Sequence, residues 1–122
     1  MKNLLRWVPA VVVMIFIYLV SGTSGSTIQS AGLGNEALHI IGHFFIFVTL
    51  YISYYFATKK LFLSLILAVL YGLFDEYHQK FIYLRSPSLF DIKINTFGAV
   101  SGLILCKLSQ KLHHEKSNKN TN

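Results

Sequence analysis

Four stretches of the chain are apolar for long enough to cross a bilayer, and short polar segments separate them. The first runs from about Leu4 to Val20 and the second from about Ala37 to Ala57. The third starts at Leu61 and continues through a polar patch to about Leu84; the fourth covers about Ser88 to Leu108. Each is close to the ~20 residues that a spanning helix needs. None alternates strictly as a barrel strand does, and four strands are too few to close a barrel. The pattern predicts an all-α integral membrane protein, a bundle of four transmembrane helices.

The connections support that division. Residues 21–36 are small, polar and glycine-rich and read as a loop. Thr58, Lys59 and Lys60 make a tight second turn, and Arg85, Ser86, Pro87 and Ser88 a third, with Pro87 placed to start the last helix. The spanning domain therefore covers residues 1–108. From Ser109 the chain is polar and low in complexity, so 109–122 reads as a disordered tail.

Composition points the same way. Charged residues make up 13%, against about 25% in an ordinary soluble domain. The mean hydropathy is +0.51, and a soluble core built from 122 residues could not hide so much apolar surface. The net charge of +6 would suggest nucleic acid in a soluble protein. Here the basic residues fall between and after the apolar stretches, and no nucleic-acid-binding motif is present, so no nucleic-acid partner is expected. Cys106 is the single cysteine, which excludes an internal disulfide and a cysteine-based metal site.

The basic residues also predict topology. Lys2, Arg6, Lys59, Lys60, Lys107, Lys111, Lys116 and Lys119, eight of eleven, fall on one side. By the positive-inside rule both termini are then cytoplasmic, an N-in/C-in arrangement. A cleaved signal peptide is the alternative for the first segment, with its basic start and the small residues Ser21, Gly22 and Thr23. That reading would put the second basic turn outside.

In this orientation the ionisable and amide residues of the helices gather at one depth, in the extracytoplasmic half. An intramembrane ionisable residue is costly and marks a site by default. His39 and His43 lie near the start of the second segment, Asp75, Glu76, His78 and Gln79 near the end of the third. Arg85 follows in the turn, and Asp91, Lys93 and Asn95 open the fourth segment. Helical spacing puts His39 and His43 on one face, Asp75, His78 and Gln79 on another, and Asp91, Asn95, Gly98 and Gly102 in one stripe. Gly98 and Gly102 form a small-residue seam for close helix packing.

Each of these residues has a plainer explanation. His39 fits an interfacial histidine better than a functional one. Asp75 and Glu76 fit a structural network in which Arg85 neutralises one carboxylate, Asn95 fits interhelical glue, and Lys80 a snorkelling chain. The joint clustering carries the functional reading. The candidate binding site is His43, Asp75, Glu76, His78, Gln79, Arg85, Asp91 and Asn95.

Tyr71-Gly-Leu-Phe-Asp-Glu-Tyr-His-Gln-Lys-Phe, then Arg85-Ser, then Asp91-Ile-Lys-Ile-Asn-Thr-Phe-Gly-Ala-Val-Ser-Gly102 resembles the VanZ-like family of small bacterial membrane proteins. That family's pattern is close to D-E-x-x-Q-x-F, an Arg-Ser in a short loop, and D-x-x-x-N-x-x-G-x-x-x-G. Asp75, Glu76, Gln79, Phe81, Arg85, Ser86, Asp91, Asn95, Gly98 and Gly102 fall on it, and His43-Phe44 matches its His-Phe. The chain departs at Phe47, where Tyr is usual, at Tyr83-Leu84, often Pro-Gly, and at Ile40, often basic. The resemblance covers roughly residues 7–105 and implies a multi-pass protein of the bacterial cytoplasmic membrane. The family's name comes from a determinant of resistance to glycopeptides of the teicoplanin type.

Three functions fit such a site. One is binding or modifying a phosphate-bearing envelope lipid or lipid-linked cell-wall precursor, with Arg85 matching phosphate oxygens. Nearby carboxylates oppose an anion unless paired, protonated or holding a metal. The second is an intramembrane hydrolase or transferase acting on a lipid phosphate, with a divalent metal held by Asp75, Glu76, His78 and Asp91. No cofactor motif such as HExxH is present. The third is a transport or accessory subunit, or a structural one whose polar network fixes helix packing; the apolar inner halves of the four helices give a monomeric transporter no continuous path. The sequence names no catalytic residue, oligomeric state or protein partner beyond membrane lipids.

Overall fold

The computed structural model describes residues 2–119, and the regular structure among them is helical. The elements are α1 (Lys2–Leu5), α2 (Val8–Ser21), α3 (Gly25–Ser30), α4 (Glu36–Thr58), α5 (Leu61–Gln79) and α6 (Leu89–Lys119). Four helical stretches are long and apolar enough to cross a membrane: Asn3–Ser21, Glu36–Thr58, Leu61–Gln79 and Leu89–Lys119. Pro9 has no N–H to return to Leu5, which separates α1 from α2. Bonds from Trp7 N–H to Leu4 O (3.1 Å) and Val11 N–H to Trp7 O (2.9 Å) carry the chain across the break.

Local chemistry sets the helix ends. The Asn35 side chain accepts from Ala37 N–H at 2.8 Å and starts α4, with Glu36 in the favoured first turn. Lys59, left-handed at φ 58°, ends it. Thr58 Oγ1 then accepts from Lys60 N–H at 3.1 Å and lies 2.7 Å from Ser64 Oγ, which closes the turn into α5. Consecutive spans run up and down, so α4 and α6 are parallel. The central helix α4 packs against α2, α5 and α6.

Lipid tails are as apolar as leucine, so these helices associate through close packing and polar contacts. A Cβ at Gly98 would lie 2.4 Å from Phe44 O, and one at Gly102 would lie 2.8 Å from the Tyr51 ring. The small-residue seam of α6 is thus the surface that lets α4 approach. Phe47, Leu50, Tyr51, Ala68 and Ala99 form the core of this contact. The buried tyrosines satisfy their hydroxyls within it: Tyr51 donates to Leu61 O at 3.1 Å and Tyr71 to Met14 O at 2.6 Å. The outward faces, with Phe16, Phe62 and Leu70 among many, stay exposed and apolar.

Three boundaries differ from the sequence expectation. The third span ends at Gln79, not near Leu84, because i to i+3 bonds from Phe81 N–H to His78 O and from Ile82 N–H to Gln79 O turn the chain out of the helix. The connection at 21–36 contains the short helix α3, capped by Ser24, whose Oγ accepts from Thr27 N–H at 3.3 Å. The tail expected to be disordered from 109 continues α6 as far as Lys119. Residues 109–119 contain no Gly or Pro, Glu115 and Lys119 have the favourable i,i+4 order, and the Gln110 amide donates to the Tyr55 hydroxyl. Residues 120–122 of that expected tail lie outside the described residues.

Candidate functional site

The up-and-down order brings the end of α2, the start of α4, the end of α5 and the start of α6 to one end of the bundle. Two pairs align α4 with α6 there. His39 Nε2–H donates to Asp91 Oδ2 at 3.1 Å, and His43 Nδ1–H donates to Asn95 Oδ1 at 2.7 Å. Each pair is 52 positions apart, so the two i,i+4 faces meet in one register. The His39 and His43 rings are 4.3 Å apart.

From α5, Asp75, Glu76 and Gln79 enter the same region, each only 2% exposed. Gln79 Nε2–H donates to Asp75 Oδ2 at 3.2 Å and to Glu76 Oε1 at 3.5 Å. Glu76 Oε2 accepts from Ser88 N–H at 2.9 Å, while Ser88 Oγ accepts from Asp91 N–H at 3.3 Å and caps α6. Ser88 thereby ties the end of α5 to the start of α6. Among the described residues no Lys or Arg lies within ion-pair distance of Asp75, Glu76 or Asp91; the His39–Asp91 pair stands alone. Asn95 is 1% exposed and its Nδ2 donor has no hydrogen-bond partner.

A cavity of about 450 Å³ opens beside this cluster. Phe16, Ile17 and Val20 of α2 face Phe45 and Ile46 of α4 along its apolar part. His39, His43, Asp75, Gln79 and Arg85 line its polar part, together with Ser21, whose buried hydroxyl also lacks a partner.

The model of the VanZ/LLP1 family matches residues 2–110. The chain belongs to this family. No curated protein and no solved structure matches it. Family membership and four apolar helices together make it a VanZ-family membrane protein.

Within this VanZ-family bundle the structure brings His43, Asp75, Glu76, Gln79, Asp91 and Asn95 together, and it parts from the sequence expectation at three residues. His78 turns away. Its ring stacks on Tyr18 of α2 with centroids 4.4 Å apart and lies parallel to Phe74. The reason is helical rotation: at about 100° per residue, Gln79 falls about 40° from Asp75, whereas His78 falls about 160° from Glu76. Arg85 neutralises no carboxylate. Its Nε donates to Thr23 O at 3.3 Å and its Nη2 to Val20 O at 3.4 Å, adding donors to carbonyls at and just after the end of α2, the negative end of the helix dipole. His39, given the interfacial reading from sequence, belongs to the cluster through Asp91. Its i,i+4 relation to His43 was the signal for that.

Leu84 is a further departure. It sits at φ 55°, a left-handed conformation that favours glycine, at a position where the family often has Gly. Gly25 packs directly under it: its N–H donates to Tyr83 O at 3.1 Å, and a Cβ there would lie 2.2 Å from Leu84 O. The connection containing α3 and the α5–α6 turn thus brace each other beside the polar cluster.

Proposed function

We propose that this protein binds the phosphate-bearing headgroup of an envelope lipid or lipid-linked cell-wall precursor. The site is the polar part of the cavity, placed in the outer half of the bacterial cytoplasmic membrane with both termini in the cytoplasm. The observation that carries this reading is the two-part cavity wall. A lipid chain fits between Phe16, Ile17 and Val20 of α2 and Phe45 and Ile46 of α4, and a headgroup then meets His39, His43 and Arg85. One buried polar group of that wall lacks a partner, Ser21 Oγ, and so does Asn95 Nδ2, which does not line the cavity but belongs to the amide that holds His43. Leaving a buried donor unpaired costs about 1–3 kcal/mol, and phosphate oxygens supply the missing acceptors. Arg85 can turn its remaining N–H groups to the same anion while holding α2.

The test is native mass spectrometry of the protein with its co-purified lipids, wild type against Arg85→Ala and Asn95→Ala. The expected result is a retained phosphate-bearing lipid, depleted in both variants at unchanged helicity; its mass separates a phospholipid from a polyprenyl-linked precursor. Retention of zwitterionic and anionic lipids in proportion to their abundance, unchanged by either substitution, overturns the reading.

A second reading, a metal-assisted hydrolase or transferase on the same lipid phosphate, is favoured by the imidazole and carboxylate donors gathered at the headgroup end. It requires phosphate release or transfer from a lipid phosphate by the purified protein. That activity must vanish in Asp75→Asn while the thermal midpoint holds. A fall in stability without any turnover in the wild type would favour a network that only fixes helix packing.

A further inference from the structure

The two carboxylates of α5 pose a charge problem that the protein side chains do not solve. Asp75 and Glu76 are both 2% exposed. Their polar partners are the Gln79 amide and the Ser88 N–H, neither of which carries charge. An ionised carboxylate withdrawn from water costs several kcal/mol, and a neutral hydrogen bond returns only a fraction of that. Asp91 has its own compensation in His39. Asp75 and Glu76 have none.

A basic group without an ion pair, His43, stands close by. Donor atoms of His43, Asp75 and Glu76 all lie within 4.8 Å of one another. A zinc-like ion bound at about 2.0–2.2 Å spaces its ligand atoms about 3.5 Å apart, which small side-chain adjustments reach. Each of the three is already oriented by a neighbour, as metal ligands usually are. His43 gives its Nδ1–H to Asn95 Oδ1, which leaves the Nε2 lone pair free. Asp75 is held through one oxygen by Gln79, and Glu76 by Ser88 N–H.

We infer that His43, Asp75 and Glu76 form a binding site for one divalent metal ion of the zinc or manganese class. One imidazole and two carboxylates suit such an ion, and three protein ligands leave a position open. An independent feature next to these ligands points to an occupant. The unpartnered Asn95 Nδ2 belongs to the amide that orients His43, so an oxygen bound to the ion, from water or phosphate, gives that donor its acceptor. A second group, His39, His43 and Asp91, also lies within 4.8 Å. Its His39–Asp91 bond is already made, and the ion is therefore assigned to the α5 carboxylates. The ion deepens the lipid reading by offsetting the carboxylates that oppose a phosphate, but it does not depend on that reading.

The experiment uses the full chain, purified in detergent, freed of lipid and metal, and titrated with zinc or manganese alone. Inductively coupled plasma mass spectrometry after desalting gives the stoichiometry, and the thermal midpoint is followed with and without the ion. The expected result is one ion per chain and a higher midpoint on binding. Asp75→Asn and Glu76→Gln should lose both, Asp91→Asn should keep both, and Asn95→Ala should bind about 10–100-fold more weakly. No bound ion in this titration, beside a lipid retained in the native mass spectrometry, would sink the metal site and leave the lipid reading standing; a bound ion here with no lipid retained there does the reverse. Loss in Asp91→Asn with retention in Glu76→Gln would move the ion to the other group and overturn this assignment. If the isosteric variants fail to fold, the wild-type titration alone decides: no stoichiometric ion and no shift in the midpoint refute the proposal.

Discussion

His43 donates to Asn95 across 2.7 Å, joining two helices that run parallel with no sequence connection closer than α5. The same offset of 52 positions recurs one turn nearer the helix starts, in the His39–Asp91 bond. Further along, Gly98 and Gly102 of the same α6 stripe receive Phe44, Phe47 and Tyr51 of α4. The polar register and the close-packed seam are therefore one interface, polar at one end and tight along the rest.

Loss of the His43–Asn95 bond should cost stability as well as function. Interhelical hydrogen bonds in membranes are worth about 0.6 kcal/mol on average and about 1.7 at most. Asn95→Ala should therefore lower stability by about 1 kcal/mol, while Asn95→Leu should cost more, because its larger side chain meets packed α4. Thermal unfolding in mild detergent measures both, and an unchanged midpoint in Asn95→Ala would show that the bond contributes nothing.

The glycine seam separates two substitutions of the same kind. Gly98→Ala places a methyl 2.4 Å from a backbone oxygen that cannot step aside, and overpacking costs typically about 1–3 kcal/mol. At Gly42 an added Cβ meets nothing within 4 Å, and alanine is the better helix former by about 1 kcal/mol. Gly98→Ala should lower the thermal midpoint by several degrees; Gly42→Ala should leave it unchanged or raise it. Equal effects at the two positions would contradict the described packing of α4 on α6.

Leu84 occupies backbone space that costs a non-glycine residue about 1–2 kcal/mol. Leu84→Gly relieves this, and the extra unfolded-state freedom of glycine takes back about 0.5–1 kcal/mol. The net expectation is a gain of up to about 1 kcal/mol, seen as a higher thermal midpoint. A lower midpoint would mean that the leucine side chain, 64% exposed, contributes a contact worth more than the strain.

The proposed orientation makes a labelling prediction. In a Cys106→Ser background, Gln29→Cys in α3 and Lys60→Cys in the α4–α5 turn lie at opposite ends of the bundle. A membrane-impermeant maleimide applied to intact cells should label Gln29→Cys alone, and Lys60→Cys only after permeabilisation. The reverse pattern would put the polar cluster at the cytoplasmic face.

Periodicity and spacing were enough to show four apolar spans and the sorting of His39, His43, Asp75, Glu76, Asp91 and Asn95 to one end. Both follow from local facts: the length of an apolar run and the order of short connections leave little choice of topology. The i,i+4 stripe of Asp91, Asn95, Gly98 and Gly102 was legible for the same reason, since it lies within a single helix. What a single helix cannot reveal is its rotation against its neighbours. Tertiary packing turned Glu76 and Gln79 inward and His78 outward onto Tyr18, and paired His39 with Asp91. It also sent Arg85 to the carbonyls of Val20 and Thr23 rather than to a carboxylate. Those choices depend on where Gly98 and Gly102 admit the aromatic face of α4, a contact between residues about fifty positions apart. The extension of α6 to Lys119 was missed for a different reason. Low complexity suggested disorder, yet residues 109–119 carry nothing that breaks a helix already nucleated by the preceding span.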